Sequence, residues 1–166
     1  LDRILDALQE IFPTILLVAQ AGDSSLEAAS RPGVRLVHDL IPGKGPLVGI
    51  YTALENSSAP FVFVMACDMP YPSVDLVRCL MSRAEGREAV VPRRGEYIEP
   101  LFAVYHRDIR EKMRARLREE RLKIHELIRE LDVRYLDEEE IAACDPGFRS
   151  FFNINTPDDL LNIPPF

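Results

Sequence analysis

The ten residues Phe61-Val62-Phe63-Val64-Met65-Ala66-Cys67-Asp68-Met69-Pro70 constrain the fold more than any other stretch. Apolar side chains occupy both alternating faces. A strand tolerates that when helices cover the sheet on both sides, as in a mostly parallel α/β sheet. The run ends in one carboxylate, Asp68. In open α/β sheets, ligands sit outside the carboxyl ends of the strands, and a carboxylate there can hold a divalent cation against nucleotide phosphates. Capping the next helix, or closing a turn, would use the same residue equally well.

The rest of the chain alternates between helical and extended patterns. Leu1, Ile4, Leu5, Leu8 and Ile11 form a helical stripe that Pro13 ends. Residues 14–19 read as a buried strand. Asp23 and Ser24 can cap a short helix reaching about Ala29, and Arg31-Pro32-Gly33 turns into a strand at 34–37. A long glycine- and proline-rich loop, 38–46, leads into a helix at 47–54. After the organising strand, Ser73 is an N-cap for a helix through about Ala84. A short strand at 89–91, a turn at 93–95, a strand at 100–105 and charged helices at 108–119 and 123–131 follow. The pattern closes with a strand at 133–136, a helix at 138–143, a strand end at 151–155 and a helix opened by Thr156-Pro157. Residues 163–166 read as a surface end. This alternation predicts one three-layer α/β domain over residues 1–166, Rossmann-like in the broad sense.

Composition removes several functions. The chain has 166 residues and 47% apolar content, enough for one domain with a sizeable core. Its net charge is −7, with Lys and Arg interspersed among acids, which argues against a nucleic-acid polymer as partner. No run approaches the roughly 18 apolar residues of a membrane span, and none reads as a secretory signal. Cys67, Cys79 and Cys144 are too scattered for a disulfide framework or a zinc site, and Cys67 is expected to be a small core residue. A reducing cytoplasm fits. His38, His106 and His125 suggest no metal pair.

Three segments could carry chemistry. Asp39 precedes Pro42-Gly43-Lys44-Gly45-Pro46-Leu47-Val48-Gly49, where glycines let backbone N–H groups approach an anion at a helix start. Lys44 could meet a phosphate, although the spacing is not that of a Walker A loop. The second segment is Cys67-Asp68-Met69-Pro70. In the third, Asn153 and Asn155 alternate on an extended stretch and so face one side. They could share a ligand, or simply bond to loop backbone.

Taken in order, these motifs resemble the molybdenum cofactor guanylyltransferases (MobA family), of the nucleotide-diphospho-sugar-transferase-like fold. The likeness runs through Asp39, Gly45-Pro46-Leu47-Val48-Gly49, Cys67-Asp68-Met69-Pro70 and Asn153-Ile154-Asn155-Thr156-Pro157, and covers essentially the whole chain. It implies transfer of GMP from magnesium-bound GTP to molybdopterin, with release of pyrophosphate. By the same likeness, Asp68 matches the magnesium aspartate and lies against the nucleotide, and Asp39 contacts the nucleotide. Gly45 and Gly49 border the site, while Asn153 and Asn155 lie toward the metal or the pterin. Val18 falls where the family has a polar residue near the guanine, commonly asparagine. Cofactor-synthesis or molybdoenzyme-maturation proteins are implied as partners.

The chain departs from the family at its start. The family opens with a strand and a Leu-Ala-Gly-Gly…Arg-Met-Gly…Lys loop around the triphosphate, and neither is found here. That strand belongs between those at 14–19 and 61–67, so these 166 residues are expected to be a fragment. Two other readings stay open: a cytidylyl- or sugar-phosphate nucleotidyltransferase, and a non-catalytic adaptor that holds the pterin or a nucleotide.

Overall fold

The computed structural model describes residues 1–20, 31–156 and 159. The readings made for residues 21–30, for Pro157 and for the end of the chain lie outside them. Helix α1 spans Asp2–Gln9 and buries Ile4, Leu5 and Leu8. Strands β1 (Ile15–Ala19) and β2 (Val34–His38) pair in parallel, with Val18 opposite Val37. Helix α2 is Pro46–Glu55, β3 is Phe61–Met65 and α3 is Val74–Ser82. Next come β4 (Ala89–Arg94), β5 (Tyr97–Ile98) and β6 (Phe102–His106). Helices α4 (Arg110–Arg118) and α5 (Ile124–Arg129), strand β7 (Val133–Leu136) and helix α6 (Glu138–Cys144) complete the regular elements.

Side-chain alternation along the strands builds the three layers. Phe61, Phe63 and Met65 of β3 point into a core with α1, α3 and α6. Val62 and Val64 point the other way, into a second core with α2, α4 and α5. Phe102 and Val104 of β6 divide from Ala103 and Tyr105 in the same manner. The α/β class therefore follows from a period-2 pattern whose faces are both apolar.

Two strands of the larger sheet run against the others. The larger sheet runs β3-β6-β4-β5, with β7 also beside β4. β7 is parallel to β4, whereas β6 is antiparallel to both β3 and β4. Thus β3, β4 and β7 share a direction, and β6, with the short β5, opposes them. A parallel β4–β6 pair would need a crossover of about a dozen residues or more, and the linker is far shorter. Instead, Gly95 and Glu96 close a two-residue hairpin that pairs Arg94 with Tyr97. Gly95 has φ 56° and Glu96 does not share that sign, the type II′ pattern with glycine first.

Among the described residues, β1 pairs only with β2, and β3 only with β6. Both pack against α2, so β1 and β2 lie beyond the edge of β3 that β6 leaves open. The strand end expected at 151–155 is not a strand. Arg149–Phe151 is a 3-10 turn, Phe152 after it is extended, and residues 152–155 belong to no strand.

Candidate functional site

Asp68 follows β3 by three residues, where the apolar run gives out. Its backbone carbonyl accepts the Ile154 N–H at 2.8 Å. That bond ties the late segment to the loop after β3, with exposed Asn153 and Asn155 on either side of Ile154. The segment is held in turn by the Asp159 carboxylate, which accepts the N–H groups of Asn155 (2.8 Å) and Thr156 (2.7 Å). Cys67, expected in the core, is exposed, because the chain has already left the sheet there.

Asp39 follows β2, and its N–H continues the β1–β2 ladder to the carbonyl of Ala19 at 2.8 Å. Thr52, fully buried on α2, accepts the Leu40 N–H at 3.1 Å and also bonds to the Asp39 carboxyl. Burial raises the pKa of Asp39, and the Thr52 hydroxyl partly opposes that rise. Thr52 was missed in the sequence because a threonine inside an apolar helix reads as one more packed residue.

Asp39 and Asp68 share a property. Each has a buried Oδ1 without a hydrogen-bond partner, and no other carboxylate among the described residues does. A buried acceptor left unpaired costs on the order of 1–3 kcal/mol. Such a pair is expected where an ion or ligand completes the bonding. Among the described residues, no three His, Cys, Asp or Glu side chains gather into a metal cage. A cation here would draw the rest of its shell from phosphate and water.

Gly45 is the N-cap of α2, with φ 75° and no side-chain cap on the first-turn N–H groups. Added β-carbons at Gly45 and Gly49 would meet open space, so a ligand can approach there. Lys44 is ion-paired with Glu120 at 2.8 Å. Val18 is half-buried on β1 and offers only an apolar side chain. The structure therefore joins Asp68 to the Asn153–Asn155 segment, and Asp39 to α2 through Thr52. Among the described residues, no hydrogen bond or ion pair links the two groups directly.

One further carboxylate lies nearby. Glu99 follows the β4–β5 hairpin, and its N–H donates to the Pro92 carbonyl at 3.0 Å. Burial raises its pKa, the Leu101 N–H works against that, and the negative charge of Asp68 raises it further. The sequence signal was Arg93-Arg94-Gly95-Glu96-Tyr97-Ile98, where a turn was read without the strand it returns to.

Carboxylates at strand exits, beside a glycine-led helix start in a three-layer α/β domain, define a protein of the nucleotidyltransferase class. Comparison with known proteins makes this specific: the chain belongs to the MobA-like NTP transferase family, whose domain matches residues 1–135. It is 36% identical over 159 residues to a probable molybdenum cofactor guanylyltransferase of Pelotomaculum thermopropionicum, covering 96% of this chain and 76% of that one. The crystal structure of molybdopterin-guanine dinucleotide biosynthesis protein A from Archaeoglobus fulgidus superposes with a TM-score of 0.79 at 29% identity, over 97% of this chain and 83% of the other. A 2-C-methyl-D-erythritol 4-phosphate cytidylyltransferase from Thermus thermophilus shares the fold at 19% identity, with a TM-score of 0.65 over 98% of this chain and 85% of its own.

Proposed function

We propose that the chain transfers GMP from GTP to the molybdopterin cofactor. The terminal phosphate oxygen of the pterin attacks the α-phosphorus, the bond to the β-phosphate bridge breaks, and pyrophosphate leaves. The observation that carries this reading is the pair of buried, unpartnered oxygens on Asp39 and Asp68, in a chain of this family. Asp68 suits magnesium, a hard cation that takes one or two carboxylates and completes its shell with phosphates and water. Magnesium there would neutralise charge on the phosphates. The protein's own part is positioning: Asp39, set by Thr52, contacts the nucleotide, and the first turn of α2 after Gly45, with Gly49 beside it, lies along the phosphates. Asn153 and Asn155 face the pterin or the metal. Val18 reaches the base only through its backbone. Other cofactor-synthesis or molybdoenzyme-maturation proteins are the expected partners, and the cytoplasm the expected compartment.

The edges of β1 and β3 that have no partner among the described residues support a related proposal. One more strand, seated between them, would pair with both and bring a triphosphate loop to the site. Two facing edges left unpaired are costly, and an inserted strand satisfies them together.

Calorimetry with GTP, CTP and magnesium, followed by acceptor-dependent pyrophosphate release, tests the reading. Asp68→Asn is expected to lose the magnesium-dependent part of GTP binding and at least about a hundredfold in transfer rate. Unchanged magnesium-dependent binding in Asp68→Asn would refute the role of Asp68. A preference for CTP would replace guanylyl with cytidylyl transfer.

A further inference from the structure

A cleft of about 520 Å³ lies between the β4–β5 hairpin and the 3-10 turn at Arg149–Phe151, lined by Arg94, Tyr97, Ile98, Glu99, Glu138 and Phe151 among others. Its size suits a drug-sized or cofactor-sized ligand. Neither Asp39 nor the glycine-led start of α2 belongs to it. Asp39 follows β2, a strand of the other sheet, and α2 packs against β1 and β3, whereas the hairpin lies beyond β6. The exit of β3, which leads to Asp68, is tied to the segment after Glu99 by the Ala66 N–H, which donates to the Leu101 carbonyl at 2.9 Å. The cleft thus adjoins the segment that pairs with the exit of β3, while Asp39 and the start of α2 stay outside it.

The lining has a chemical bias. Glu96, Glu99 and Glu138 stand against a single cation, Arg94, whose guanidinium is stacked on the Phe148 ring at 4.5 Å. A cleft so weighted selects hydrogen-bond donors. Tyr97 is 84% exposed at the rim, and Phe151 packs edge-on against Phe102 at 5.5 Å. Exposed and half-exposed rings of this kind offer a face to a flat heterocycle.

We propose that this cleft is the acceptor site and that Glu99 recognises the 2-amino-4-oxopyrimidine edge of a pterin. That edge carries two adjacent N–H donors, and a carboxylate takes such a pair with both oxygens, as it takes a guanidinium. Guanine presents the same edge, so the nucleotide is the competing source of this chemistry. The arrangement favours the pterin, because the cleft includes neither Asp39 nor the start of α2, to which the nucleotide is assigned. This inference rests on the transferase reading, in that it takes the acceptor from it, but its test does not require turnover.

The test compares pterin with lumazine, which has a carbonyl in place of the 2-amino group, by fluorescence titration of the chain. Pterin is expected to bind about 10- to 100-fold more tightly than lumazine. Glu99→Gln, which keeps the size and an acceptor for the Leu101 N–H, is expected to abolish that preference and leave GTP affinity unchanged. Tyr97→Ala, at an exposed position that cannot disturb the core, should weaken pterin and lumazine alike. Equal binding of the two heterocycles by the unaltered chain would overturn the proposal, as would a preference that survives Glu99→Gln. A Glu99→Gln effect on GTP rather than pterin would assign Glu99 to the guanine instead. Selective pterin binding without any GTP- or CTP-dependent pyrophosphate release would leave the acceptor site standing and remove the transferase.

Discussion

Residue 39 shows how a site can sit at odds with stability. A carboxylate whose pKa is raised in the folded state favours the fold while it is protonated. Its contribution is fully present below the unfolded pKa and is lost as the pH rises through the folded one. For Asp39 the cause of the rise is burial, so at neutral pH the ionised group opposes folding. Asp39→Asn is therefore expected to raise Tm at neutral pH, with the gain shrinking as the pH falls below the carboxylate range, while GTP affinity drops. Thermal melts across that range, paired with calorimetry, check both. Part of this was legible beforehand: Asp39 and Asp68 stand beside turn residues at strand exits. Thr52 and Glu99 were not, because their roles depend on neighbours distant in sequence.

At the scale of elements, local chemistry read well. Ser73 caps α3, accepting the Leu76 N–H at 3.2 Å, and its hydroxyl also reaches the Cys144 carbonyl at the end of α6 at 2.9 Å. Its own N–H is taken by buried Ser150 at 2.9 Å. One residue thus joins α3, α6 and the turn that carries Phe151. Ser73→Ala should cost about 1–2 kcal/mol, at the upper end for a cap because a second bond goes with it. Urea denaturation with an unchanged m-value would confirm it. The misreadings occurred where an apolar pattern has two solutions. Phe152-Asn153-Ile154-Asn155 alternates as a strand would, yet the run is too short for that period to decide, and Phe151 belongs to a 3-10 turn instead. The second arm of the hairpin at Tyr97–Ile98 is two residues long, too short for periodicity to reveal.

For the whole molecule, the division of the sheet is the main consequence of the strand order. β4 and β6 lie inside the larger sheet, with helices on both faces, and their apolar residues are fully buried. All five residues of β3 are only half-buried, although the run is as apolar as any in the chain. Hydrogen exchange should therefore be slowest in β4 and β6 and markedly faster in β1 and β2, which open as a separate unit. An extended segment seated between β1 and β3 should slow exchange in both at once, and protection of only one would contradict that seat. The overall class was readable because both faces of the strands are apolar. The direction of β6 was not, since it depends on the length of a connection rather than on any side chain.

The single bond between the Ile154 amide and the carbonyl of Asp68 also has a bearing on biogenesis. On the ribosome, the organising strand emerges early, yet the loop it presents is not latched until nearly all the remaining described chain has followed. The corner formed by Asp68 and the Asn153–Asn155 segment is thus assembled late in synthesis, and a nascent chain carries the loop after β3 unlatched while it is still growing.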